Sequence, residues 1–220
     1  MSTVIIIGGH GKVALLLAPL LTEAGHTVRS WIRNPEHVAE VEQSGAEAIV
    51  ADLEIMSAED MAGLLRECEA DAIVWSAGAG GGDPARTRAV DRDAALRSME
   101  ASVIAGVRRY VMVSYFGAGP DHGVSQDNPF FHYAQAKTEA DGALAETQLD
   151  WTILRPSALT LDEPTGRIET GPDVTASEVS RANVAAVAAA ALDTPQTIGR
   201  TIAFNDGDTP IAQALSTDAG

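Results

Sequence analysis

The apolar run Val4-Ile5-Ile6-Ile7 passes directly into Gly8-Gly9-His10-Gly11-Lys12-Val13-Ala14. That junction constrains the fold more than any other part of the chain. Consecutive β-branched residues without polar alternation read as a strand buried on both faces. The glycines that follow allow a tight turn and a close approach of backbone N–H groups to a ligand. The helical pattern after them brings roughly half a positive charge to its N-terminus. Ala14 is small enough for that helix to pack on the sheet. Strand, glycine loop and helix in this order are the context in which a dinucleotide pyrophosphate is held. Gly8, Gly9, His10, Gly11, Lys12 and Val13 are therefore candidate cofactor-binding residues.

The pattern repeats along the chain. Strands read at Thr3–Ile7, Thr27–Ile32, Ala46–Val50, Ala72–Ser76, Tyr110–Ser114 and Trp151–Leu154. Helical patterns lie between them at about Lys12–Ala24, Pro35–Ser44, Ala58–Glu67, Arg86–Ala105 and Tyr133–Thr147. Alternating strand–helix units predict a parallel sheet covered by helices on both faces. Residues 156–180 lose this periodicity and read as a loop-rich segment of the kind that covers a site. A helix returns at Arg181–Leu192, then a strand at Thr201–Phe204, and Asp208-Thr209-Pro210 reads as the cap and first turn of a last helix. One domain is expected over residues 1–220, with 156–220 supplying the substrate-side loops.

The end of the second strand bears on the choice between NAD and NADP. NAD-binding folds carry an acidic residue there for the ribose 2′-hydroxyl. Here Thr27-Val28-Arg29-Ser30-Trp31-Ile32-Arg33-Asn34 has no carboxylate and two arginines. Arginine pairs with a 2′-phosphate through charge-assisted hydrogen bonds. The expected cofactor is NADP(H), with NAD(H) second and Arg33 preferred over Arg29 as the phosphate partner. Asp52-Leu53 after the third strand is expected to meet the adenine. Ser76-Ala77-Gly78 after the fourth leaves room for a cofactor against the sheet.

Composition excludes several classes. The net charge of −16 repels polyanions, so nucleic acid is not an expected partner. No apolar stretch approaches the roughly 18 residues of a membrane span, and the first strand lacks the flanks of a signal peptide. The single cysteine, Cys68, fits a reducing, cytoplasmic setting. No His/Cys spacing suggests a metal, and no G-x-S-x-G motif suggests hydrolysis.

Only two lysines stand against 13 arginines, and one of them, Lys137, follows Tyr133 by four residues. Residues i and i+4 share a helix face, so the two point together. Together with the glycine loop, Trp31-Ile-Arg33-Asn-Pro-Glu36, Ala51-Asp52-Leu53, Asp150-Trp-Thr-Ile-Leu-Arg155-Pro156 and Ser180-Arg181-Ala-Asn183-Val184, this pair resembles the short-chain dehydrogenase/reductase superfamily. The likeness is closest to its atypical, NmrA-like NAD(P)-binding branch, and it runs over essentially the whole chain. It implies a Rossmann-like, doubly wound α/β fold. It also implies Tyr133 as the acid/base, Lys137 as its partner and a ligand of the nicotinamide ribose, and Ser114 as the group that orients a carbonyl. The family often reads Ser-Ser at the end of the fifth strand, with the second residue catalytic. Tyr115 occupies that second position here, so Ser114 and Tyr115 are alternatives. Asp91 stands where Asn is usual.

The leading expectation is an NADP(H)-dependent oxidoreductase of a small carbonyl or alcohol, a monomer or homodimer without membrane or nucleic-acid partners. Three rivals share the fold: a non-catalytic NADP-binding redox sensor, a small-substrate epimerase or dehydratase, and a flavin or quinone reductase for which Tyr133 is dispensable.

Overall fold

A computed structural model describes residues 1–79 and 83–216. The first half alternates strand and helix: β1 (Thr3–Ile7), α1 (Lys12–Glu23), β2 (Thr27–Ile32), α2 (Val38–Gln43), β3 (Glu47–Val50), α3 (Ala58–Glu67) and β4 (Ala72–Trp75). Two helical pieces follow, α4 (Pro84–Thr87) and α5 (Ala95–Ala105), joined by the π-helical stretch Arg88–Ala94. Then come β5 (Arg109–Val113), α6 (Phe131–Ala145), β6 (Asp150–Pro156), β7 (Ala158–Thr160), β8 (Arg167–Thr170), β9 (Glu178–Ser180), α7 (Arg181–Leu192), β10 (Arg200–Asp206), β11 (Thr209–Pro210) and α8 (Ile211–Ser216).

The main sheet has nine strands in the order β11-β8-β10-β6-β5-β4-β1-β2-β3. From β3 through β10 every neighbouring pair is parallel; β8 then pairs antiparallel with both β10 and β11. This is the Rossmann-like, doubly wound α/β fold that the sequence leads one to expect. The reason lies in the period of two along each strand. Val4 and Ile6 enter one core with Leu17 and Leu21 of α1 and Val184 and Ala188 of α7. Ile5 and Ile7 enter the other with Met61 and Leu65 of α3, Met99 of α5 and Leu144 of α6. A strand that feeds two cores can carry no polar alternation, and each fully buried isoleucine contributes about 1.5–3 kcal/mol.

Three readings needed correction. Residues 156–180 are not simply loop: they hold β7 and β9, which pair in a small parallel sheet of their own, and β8. In β8 only Ile168 is buried, so its stabilisation comes from its antiparallel partners and not from a local apolar pattern. Thr209-Pro210 pairs with Ile168 and Arg167 instead of opening a helix, and α8 starts at Ile211. Proline tolerates that position because the strand is the sheet's edge, where its missing N–H breaks no ladder bond. The helix expected over Arg86–Ala105 is real, but it widens into a π turn around Asp91. No helix among the described residues is long and apolar enough to cross a membrane.

Candidate functional site

β1 and β4 lie side by side, yet the chain leaves β1 towards β2 and leaves β4 towards β5. The connections diverge there and open a crevice beyond the carboxyl ends of the strands, which is where open α/β sheets bind ligands. A cavity of about 270 Å³ occupies it. Its lining comes from the loop after β1 (Gly8, His10, Gly11), the end of β2 (Trp31, Ile32, Arg33, Asn34, His37), the end of β3 (Ala51, Asp52, Leu53, Glu54), the end of β4 (Ser76, Ala77, Gly78) and Arg86 and Val90.

The glycines act through space more than through donors. The N–H groups of Gly8 and Gly9 both donate to Trp31 O (3.2 and 2.9 Å), and that of Gly11 donates to Gly8 O (2.9 Å). Gly8 has φ +88°, and a Cβ there would lie 2.5 Å from the Ala77 Cα. A Cβ on Gly9 would lie 2.4 Å from that of Ser30. The loop is thus pressed against β2 and β4, and Gly11, the residue before the first turn of α1, lines the crevice. The N–H groups of Lys12, Val13 and Ala14 precede the first intrahelical bond, Leu15 N to Gly11 O, so they remain available to an anion. Gly9, Lys12 and Val13 do not line the cavity: the Lys12 side chain is exposed and that of Val13 belongs to the core.

At the far end of the crevice Arg33 lines the cavity, whereas Arg29 is drawn to Glu47 (2.6 Å) and Cys68 O (2.5 Å). Arg33 Nη1 donates to Glu54 Oε1 at 2.6 Å, and Arg86 Nε approaches the same oxygen at 3.3 Å. The His10 and His37 rings stack at 3.5 Å, and His10 Nε2 lies 2.7 Å from Glu40 Oε2. Asp52 accepts from the Glu54 N–H at 3.0 Å, which fixes the turn that carries Glu54. Just past the crevice lining, Ala79 is held through both of its backbone groups. Its N–H donates to Asp91 Oδ2 (3.0 Å) and its carbonyl accepts from Arg86 Nη1 (3.1 Å). The donor set and the small residues at 76–78 suit an NAD(P) molecule laid along the crevice.

The second candidate region lies across α4. Pro84 and Thr87 line a cavity of about 280 Å³ with Gln126, Asp127, Asn128, Pro129, His132 and Tyr133. Tyr115, Phe130 and Tyr133 pack on one another with ring centroids 5.1–5.6 Å apart. The aromatic segment therefore folds onto itself, and the cavity beside it mixes polar side chains with apolar surface.

Lys137 does share a helix face with Tyr133, but its ammonium donates to Val113 O at 2.8 Å and is 1% exposed. Burial pulls its pKa down, while Asp91 and Asp141 push it back up. Ser114 is also committed: its hydroxyl donates to Asp141 Oδ2 at 2.8 Å, the oxygen that accepts from Arg155 Nε at 3.0 Å. The Tyr115 hydroxyl is buried and has no partner among the described residues, and the same holds for Asp91 Oδ1 and Asp141 Oδ1. The Tyr133 phenol is pushed well above the ordinary tyrosine range by burial first, then by Asp91, Asp141 and Tyr115. The lysine charge is spent on the two carboxylates and the Val113 carbonyl.

Tyr133, Lys137 and Ser114 thus gather around one buried cluster, Asp91–Lys137–Asp141–Arg155, in which two acids face two bases. Asp141 went unnoticed in the sequence. Its signal was the spacing Tyr133, Lys137, Asp141, one helix face at steps of four. Glu54 and Arg86 had no local signal at all; the fold alone brings them to Arg33.

The NAD(P)H-binding family profile matches residues 8–195. An uncharacterized sugar epimerase of Bacillus subtilis, YhfK, is 37% identical over 215 residues, covering 96% of this chain and 98% of the relative. A Bacillus halodurans protein provisionally named as an NAD-dependent epimerase/dehydratase superposes with a TM-score of 0.88 at 32% identity, over 98% of this chain and 99% of that one. The oxidoreductase YlbE of Lactococcus lactis superposes with a TM-score of 0.85 at 30% identity, over 97% and 94% of the two chains.

Proposed function

The chain belongs to the NAD(P)H-binding family, as an atypical short-chain dehydrogenase/reductase, and from that premise we propose an NADP(H)-preferring oxidoreductase of a small, polar carbonyl or alcohol. The observation that carries this reading is Tyr133, which lines the cavity on one side of α4 while Arg86 and Val90 line the cofactor crevice on the other. A dinucleotide held in the crevice would supply or accept hydride. The chain's own residues manage the proton. Tyr133 is the proton donor to the oxygen of a carbonyl under reduction; burial, Asp91 and Asp141 keep its phenol protonated but also make it a weaker acid. Tyr115 takes the orienting role expected of serine, because the Ser114 hydroxyl is occupied by Asp141 and that of Tyr115 is unpartnered. Lys137 fixes the end of β5 through Val113 O and balances the two carboxylates.

A second reading, epimerisation of a small polyhydroxylated substrate, draws on the polar lining of Gln126, Asp127, Asn128 and His132 and on the epimerase names of two relatives. It needs the same tyrosine but consumes no cofactor overall.

One experiment separates the readings. Wild type, Tyr133→Phe and Tyr115→Phe are screened for NADPH oxidation with a panel of small carbonyls, and for stereochemical change of hydroxylated substrates by NMR. Loss of NADPH turnover by about 100-fold or more in Tyr133→Phe, with cofactor affinity intact, supports the oxidoreductase. Epimer formation without NADPH loss selects the second reading. Turnover that survives Tyr133→Phe, or tight NADPH binding with no turnover at all, overturns both.

A further inference from the structure

The sequence lacks an acid at the end of β2, but the structure brings one there from elsewhere. β3 runs parallel to β2, with Val50 beside Ile32, so the turn after β3 reaches the end of β2. Glu54 sits in that turn, 28% exposed, and faces Arg33 and Arg86 inside the crevice. The turn is rigidly held. Asp52 accepts from the Glu54 N–H, and Arg97 reaches across from α5 to Leu53 O (2.7 Å) and Met56 O (2.9 Å). Arg86 is anchored as well, through Ala79 O. One carboxylate thus bridges two arginines at the place where the adenosine ribose is recognised in this fold.

A carboxylate and a guanidinium treat the two cofactors in opposite ways. The carboxylate accepts a hydrogen bond from a 2′-hydroxyl and repels a 2′-phosphate; the arginines do the reverse. We propose that Glu54 sets the 2′-selectivity of this site: it receives the ribose 2′-hydroxyl of NAD(H) and is the counter-ion that a 2′-phosphate displaces from Arg33 and Arg86. This rests on the reading of Arg33 as the 2′-phosphate partner. It makes the chain a dual-cofactor protein whose preference for NADP(H) is held down by a residue that β2 does not contain. The acid required by the NAD-binding pattern is present, but it comes from the neighbouring strand.

Titration calorimetry of the full chain with NADPH, NADH, 2′,5′-ADP and 5′-ADP tests this without any turnover. Wild type is compared with Glu54→Gln, Glu54→Ala and Arg33→Ala, each checked for folding by thermal melting. Glu54→Gln is expected to tighten NADPH and 2′,5′-ADP and to weaken NADH, which raises the NADPH:NADH affinity ratio by about tenfold or more. Glu54→Ala gives the same direction and serves if the glutamine variant folds poorly. A ratio that changes by less than about twofold, or both cofactors moving together, overturns the proposal. Arg33→Ala is expected to weaken NADPH about tenfold and NADH little. If Arg33→Ala discriminates and the Glu54 variants do not, the role of Glu54 fails alone. If Arg33→Ala weakens both cofactors equally, the reading of the 2′ site itself is wrong.

Discussion

Replacing Asp141 with alanine strips the acceptor from two donors at once. Ser114 Oγ and Arg155 Nε both donate to Asp141 Oδ2, at 2.8 and 3.0 Å, and Lys137 loses one of its two acidic neighbours. A neutral hydrogen bond contributes about 1 kcal/mol and one to a charged group about 1.5–3 kcal/mol. Two effects reduce the sum. Arg155 keeps 23% of its side chain exposed and can turn to water. The carboxylate's own burial cost, visible in its raised pKa, also disappears with it. The expected net loss is about 2–4 kcal/mol, or a Tm lower by about 4–16 °C in a chain of this size. Asp141→Asn keeps an acceptor oxygen and loses about half of that. The assay is denaturant unfolding of wild type, Asp141→Ala, Arg155→Met and the double variant. The two positions are expected to couple by about 1 kcal/mol or more. A loss below about 0.5 kcal/mol in Asp141→Ala, or strict additivity in the double variant, refutes the view that this carboxylate organises the cluster.

Asp91→Asn carries two signed predictions. The Asp91 carboxyl is raised mainly by burial, which Lys137, the Ala79 N–H and Arg86 only partly offset. A carboxyl raised in the fold binds its proton more tightly there than when unfolded. Its contribution therefore favours the fold below the unfolded pKa of about 3.9 and is lost as pH rises through the folded value. The stability of Asp91→Asn relative to wild type should rise from acid to neutral pH, whatever its sign at acid pH; a pH-independent difference counts against this account. The same substitution removes a negative charge that raises Tyr133, so the alkaline limb of the reduction rate should move to lower pH, read from the pH–rate profile. Gly8→Ala forces a side chain into φ +88° and against the Ala77 backbone. A loss of about 2–5 kcal/mol is expected from left-handed strain and overpacking. Calorimetric loss of NADPH binding should accompany it; wild-type stability and affinity in this variant would show that the loop is not tightly pressed on β4.

Much of the fold was legible because its signals are local. Val4–Ile7 needs no partner to read as a doubly buried strand, and Gly8–Ala14 needs none to read as a phosphate loop. β8 and β11 were not legible, since each is held by pairing with strands far along the chain. The site divides the same way. Tyr133 and Lys137 could be put on one helix face from their spacing, but that spacing says nothing of where the lysine charge goes. Burial, the Val113 carbonyl and two carboxylates decide that, and burial and the same two carboxylates raise the Tyr133 phenol.

The sequence by itself determined the strand–helix alternation, the glycine turn and the cofactor class, because periodicity and backbone chemistry act over a few residues. Only the tertiary structure decided what surrounds each charge. Glu54 meets Arg33 because β3 lies beside β2, and Ser114 meets Asp141 because α6 packs over β5. Electrostatics and hydrogen bonding depend on distance in space, and for these pairs that distance is set by the sheet order and not by the chain.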